Sequence, residues 1–115
     1  MHNFKNLKIW QKSRELVKEV FLETREFPAE EKFGLTSQIL RSAYSIPSNI
    51  AEGSGRSSNK EFSRFLDISL GSAFELETQL ILASDIHYLS EEKLQHIQSL
   101  LQEIQKMIYS FKTKL

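Results

Sequence analysis

The stretch Ser45-Ile46-Pro47-Ser48-Asn49-Ile50-Ala51-Glu52-Gly53-Ser54-Gly55-Arg56 decides how this chain folds, since it carries one of two prolines and two of four glycines. Ile46 and Ile50 continue an apolar row that begins at Leu35 and passes through Ile39 and Ala43. That 3–4 spacing predicts a helix starting near Leu35. A polar row of Gln38, Ser42, Ser45, Asn49, Glu52 and Arg56 runs beside it. Pro47 has no amide to offer the Ala43 carbonyl and its ring presses against that group, at about 3 kcal/mol in a regular helix. Either the helix kinks near 43–47, or it stops at Ser45 and restarts with Pro47 in a first turn. Gly53 and Gly55 are then expected to adopt the left-handed conformations that end a helix.

Upstream, Leu7, Ile9, Leu16, Val20 and Phe27, with Ser13 filling a gap, predict a helix over about 7–26, stopped by Pro28. Downstream, Ser58-Asn59-Lys60-Glu61 has the capping-box pattern. The third helix therefore runs from there to about His87, with Phe62, Phe65, Leu66, Ser69, Ala73, Leu76, Leu80 and Ala83 on its main face. Gly71 at its middle is expected where a neighbouring backbone packs close. Ser90 followed by Glu91 and Glu92 is a good helix start. Leu94, Ile97, Leu101, Ile104, Ile108, Phe111 and Leu115 then form an unbroken coiled-coil-like seam. Short connections between consecutive helices predict an all-α, up-down-up-down four-helix bundle with a proline kink in helix 2, as a single domain over 1–115.

The chain has 115 residues, 40% of them hydrophobic, which suffices for one core. It contains no cysteine, so disulfides, thiolate metal sites and thiol catalysis are excluded. No apolar run reaches the roughly 18 residues of a membrane span, and the expectation is a cytoplasmic protein without membrane association. His2, His87 and His96 lack metal-ligand spacing, so no metal site and no cofactor are expected. The segment from Glu52 to Ser58 resembles a phosphate loop only in its glycines, for it lacks the lysine and the preceding strand. No nucleophile and base are paired, so no enzymatic activity and no small-molecule substrate are expected.

Several blocks also carry a resemblance: Phe4, Leu7 and Ile9-Trp10-Gln11; Phe33-Gly34-Leu35-Thr36-Ser37-Gln38 and Arg41; Ser45 to Gly53; Gly55-Arg56; Phe65-Leu66; Gly71-Ser72; and Glu75 to Leu80. Over roughly residues 4–89 the arrangement resembles the small bacterial four-helix bundles of the 23S rRNA-intervening-sequence protein family. That resemblance implies a bundle that often assembles into a homopentamer, distantly similar to the nucleic-acid-associated, basic accessory protein of diversity-generating retroelements. It implies no reaction. This chain departs from the retroelement proteins in being neutral, with fifteen basic and fifteen acidic residues.

Three sets of residues follow as candidates. Trp10, Val17 and Phe21 on helix 1, with Ile68, Phe74 and Ile81 on helix 3, lie off the main seams and are expected to form an oligomer interface. Gln38, Arg41, Asn49, Glu52 and Glu75 are expected to form a structural polar network beside Pro47, with Asn49 and Glu52 at least partly buried. The third set gathers at the end shared by the start of helix 1, the helix 2–3 turn and the end of helix 4. There Lys5, Lys8, Lys12, Arg14, Arg56, Lys60, Arg64, Lys106, Lys112 and Lys114 outnumber five acids, and Lys5, Lys8, Lys12, Arg56, Lys60, Arg64, Lys112 and Lys114 are candidates for contacting RNA. The opposite end collects nine acids against three bases. A scaffold that binds only protein is the alternative, because lysines near a helix C-terminus and acids near an N-terminus also simply complement the helix dipole.

Overall fold

A computed structural model describes residues 2–115 as four helices: α1 (Lys8–Thr24), α2 (Leu35–Ser54), α3 (Asn59–Asp85) and α4 (Glu91–Thr113). Two 3-10 turns, Phe4–Asn6 and Ala29–Glu31, precede α1 and α2. Ser58 and Ser90 start the last two helices as their positions require, accepting hydrogen bonds from Glu61 N–H and Lys93 N–H at 3.2 Å each. At the start of α2 the cap comes from upstream. Glu31 Oε1 accepts from Leu35 N–H at 3.2 Å, while its Oε2 accepts from Tyr88 O–H at 3.0 Å.

Cross-helix pairs show the directions. Lys12 meets Glu103, Glu19 meets His96 and Glu23 meets Lys93, so as α1 advances α4 recedes. Ser42 meets Gln79 and Ser69 meets Ile46 between α2 and α3, and Glu77 meets Gln98 and Asp67 meets Lys112 between α3 and α4. Each consecutive pair is antiparallel, which gives the up-down-up-down order. The bundle measures 43 × 25 × 20 Å, matching a 27-residue α3 at about 1.5 Å per residue. Its core is the predicted seams: Leu16 and Val20, Ile39, Ala43, Ile46 and Ile50, Leu66, Ala73, Leu76 and Leu80, and Ile97, Leu101, Ile104 and Ile108 are all buried. Ser13 is buried among them because its hydroxyl donates to the Ile9 carbonyl at 2.6 Å. No helix is long and apolar enough to cross a membrane among the described residues.

Helix α2 continues through Pro47 without a break, so the restart alternative is wrong. The carbonyls just before the proline take side-chain donors. Ile46 O accepts from Ser69 Oγ at 2.9 Å, and Ser45 O accepts from Asn49 Nδ2 at 2.8 Å. The glycine expectations need correction. Gly53 lies inside α2 and Gly55 has φ −88°; neither is left-handed. Gly53 is there for space: a Cβ at that position would stand 2.6 Å from Phe65 Cβ and 2.9 Å from Phe62 Cδ1. Gly71, expected against a neighbouring backbone, faces open space instead. The left-handed residue that ends a helix is His87, with φ 68°, at the predicted end of α3 and two residues past its last helical residue, Asp85. Tyr88 N–H bonds Ala83 O at 2.9 Å and His87 N–H bonds Ser84 O at 3.0 Å, the double bond of a Schellman cap.

Candidate nucleic-acid interface

The antiparallel register brings the start of α1, the α2–α3 turn and the end of α4 to one end of the bundle. An aromatic cluster fixes them there. The His2 ring lies 5.1 Å from Phe62 and 6.0 Å from Phe111, Phe62 and Phe111 lie 5.5 Å apart, and His2 N–H bonds Ser54 O at 3.0 Å. Around this cluster the candidate cations divide into two kinds. Lys12 pairs with Glu103 at 3.6 Å and Glu15 at 3.9 Å, Arg56 with Glu52 at 3.3 Å, and Lys112 with Asp67, so their charge is locally compensated. Arg56 also lies 4.8 Å over the Phe65 ring. Lys5, Lys8, Lys60, Arg64, Lys106 and Lys114 make no ion pair among the described residues.

Lys8, Lys106 and Lys114 border one open hollow whose floor is Ile9, Met107 and Phe111. Sequence reasoning placed Lys8 and Lys114 among the contacts and counted Lys106 only toward the end's charge. The α1–α4 pairing that joins it to Lys8 is visible only in three dimensions. Arg14 does not belong to this end; it stacks 5.6 Å over Trp10 in the groove between α1 and α2.

The polar network is arranged differently from the expectation. Gln38, Arg41, Glu52 and Glu75 are exposed, and Glu52 has only its i,i+4 partner Arg56. Asn49 is half-buried and bonds back to Ser45. The buried polar contacts between α2 and α3 are instead Ser42 Oγ to Gln79 Oε1 at 2.9 Å, Ser45 Oγ to Ser72 Oγ at 2.8 Å, and Ser69 to the Ile46 carbonyl. Ser42 and Ser45 stood in the polar row of α2, but their partners on α3 had no sequence signal.

A second cluster escaped sequence reasoning altogether. Glu77 of α3 accepts from Gln98 Nε2 at 2.8 Å, Gln102 Nε2 at 3.1 Å and Gln105 Nε2 at 2.9 Å, all on α4. Partial burial raises the Glu77 carboxyl's pKa, yet the three amides together outweigh it and hold it below the ordinary value. At the acidic end, the hydrogen bond that His96 Nε2–H donates to Glu19 at 2.9 Å raises the His96 pKa, and donation to Glu31 does the same to the Tyr88 phenol.

The apolar candidates lie on diagonal helices. Trp10 and Val17 are half-buried and Phe21 exposed along α1; Ile68, Phe74 and Ile81 are exposed along α3, beside Leu82.

The family described as 23S rRNA-intervening sequence protein matches residues 5–110. A crystal structure at 1.70 Å of a protein of unknown function from the S23 ribosomal protein family of Bacteroides thetaiotaomicron is similar in fold and sequence. It superposes with a TM-score of 0.82 at 32% identity, over 91% of this chain and 95% of that one. No curated protein sequence matches the chain.

Proposed function

Since the chain belongs to the 23S rRNA-intervening sequence protein family, we propose that it is a non-enzymatic, self-assembling bundle that holds structured RNA against its basic end. The observation that carries the reading is the trio Lys8, Lys106 and Lys114, uncompensated around an apolar hollow. Lysines free of carboxylate partners attract phosphates at least cost, because no existing ion pair must be broken. Self-assembly is supported by the α3 ridge, where Ile68 is 46%, Phe74 53% and Leu82 50% exposed. The number five for the assembly rests on family resemblance alone. In a ring, subunits point the same way, so basic ends would share one face and their potentials would add.

The test is retention of structured RNA at two salt concentrations by the wild type and by the combined Lys8→Glu, Lys106→Glu, Lys114→Glu variant. Loss of the salt-dependent shift with assembly mass unchanged is expected. Equal retention would leave a protein-binding scaffold as the surviving reading. This set is preferable to one including Arg56 or Lys112, whose reversal would set like charges against Glu52 and Asp67.

A further inference from the structure

The outer side of α1 and α2 carries a surface quite unlike the lysine-ringed end. Two adjoining hollows meet at Tyr44; one includes Trp10 and Arg14, the other Phe33, Lys32 and Arg41, and neither is lined by a single carboxylate. Glu31, beside Phe33 at the start of α2, is engaged by Leu35 N–H and Tyr88 O–H, so the linings of the two hollows themselves hold three cations and no acid. Phe33 is 89% exposed and Tyr44 45%, so neither ring is held there by burial in this fold. Cations already lie on ring faces along the surface, Arg14 at 5.6 Å from Trp10 and Lys32 at 5.5 Å from Phe33.

We infer that this groove binds single-stranded nucleic acid, with Phe33 and Tyr44 stacking on bases and Arg14, Lys32 and Arg41 meeting phosphates. Exposed aromatic faces interleaved with cations are what a single strand requires, since every base offers a π-face and every linkage a charge. A duplex hides its bases and cannot use the rings. From Phe33 to Pro47 the surface spans about 20 Å of helix, room for a short strand of about 4 nucleotides. A second copy of the chain is the competing occupant. The excess of cations favours the polyanion, because like copies would bring Arg14 and Arg41 to whatever they covered without any acid in the groove to answer.

The experiment uses the full chain, a fluorescein-labelled 12-nucleotide oligoadenylate and a duplex of equal length, with anisotropy as the readout. The wild type binds the single strand more tightly than the duplex. Phe33→Ala and Tyr44→Ala each weaken binding about fivefold to hundredfold, leave melting temperature and light-scattering mass unchanged, and Phe33→Trp retains affinity. Arg14→Gln and Arg41→Gln each lower the salt slope by about 0.7. The variant with Lys8, Lys106 and Lys114 reversed keeps single-strand binding, which separates this groove from the end-face reading. Unchanged affinity in Phe33→Ala/Tyr44→Ala, or no binding of the oligoadenylate by the wild type, overturns the inference. So does a change of assembly mass in those variants, which would mark the groove as a contact between copies.

Discussion

Removing the Glu77 carboxylate by Glu77→Ala tests whether the three glutamines of α4 make a real tie between α3 and α4. Hydrogen bonds to a charged group contribute about 1.5–3 kcal/mol when sheltered, but this one is only half-buried and must be discounted for water. Gln102 is exposed and recovers its bond from solvent; Gln98 and Gln105 are half-buried and recover less. Counting those two at about 0.5–1 kcal/mol each gives a loss of about 1–2 kcal/mol, or about 4–8 °C in Tm for a domain of this size. The pH dependence gives a second check. The folded carboxyl titrates below its ordinary 4.5, so its stabilisation is present above that value and disappears as pH falls through the lower folded pKa. Circular dichroism melts at pH 7 and across the acid range should show wild type and variant converging as pH falls. Identical melting at pH 7, or a difference that persists unchanged into strong acid, would refute the tie.

The glycines make opposite predictions. Gly53→Ala should destabilise by about 1–3 kcal/mol through its clash with Phe62 and Phe65, whereas Gly71→Ala, in open space, should stabilise by up to about 1 kcal/mol; urea midpoints decide both. His87→Gly should raise the urea midpoint by the equivalent of about 1 kcal/mol, since its left-handed backbone costs a side-chain-bearing residue. The raised pKa of His96 means that its pairing with Glu19 stabilises fully below the ordinary value of 6.5 and fades as pH rises through the folded value. Accordingly, His96→Ala should lower Tm at mildly acidic pH and leave it unchanged well above the folded pKa.

The helices were legible because their signals are local and redundant: the α4 seam repeats from Leu94 to Ile108, and Ser58 and Ser90 stand where caps must stand. Pro47 was legible as a disturbance but not in its outcome: α2 runs through it unbroken, and nothing local showed that the neighbouring Ile46 carbonyl takes a hydrogen bond from Ser69, 23 residues further on. Glycines misled for a related reason. Gly53 answers to the Phe62 ring and the Phe65 Cβ of another helix rather than to its own backbone angles, while the left-handed position fell to His87, which adopts it less readily than glycine does. The candidate basic end was readable as a composition. Its division into compensated and free lysines was not, because carboxylate partners such as Glu103 and Asp67 come from other helices.

The four residues that separate α2 from α3 also bear on the order in which the chain acquires its structure. Ser69 reaches Ile46 across 23 positions, but His96 reaches Glu19 across 77. Closing the wider loop costs about 1 kcal/mol more in chain entropy. Either hairpin closes more cheaply than the α1–α4 seam, since Glu77 reaches Gln98 across only 21 positions. The α2–α3 hairpin adds interlocking serines and the close packing at Gly53, which makes it the favoured nucleus, and the α1–α4 seam zips last. Substitutions at Ser69 or Gly53 would slow refolding, whereas those at Lys12 or His96 would mainly hasten unfolding.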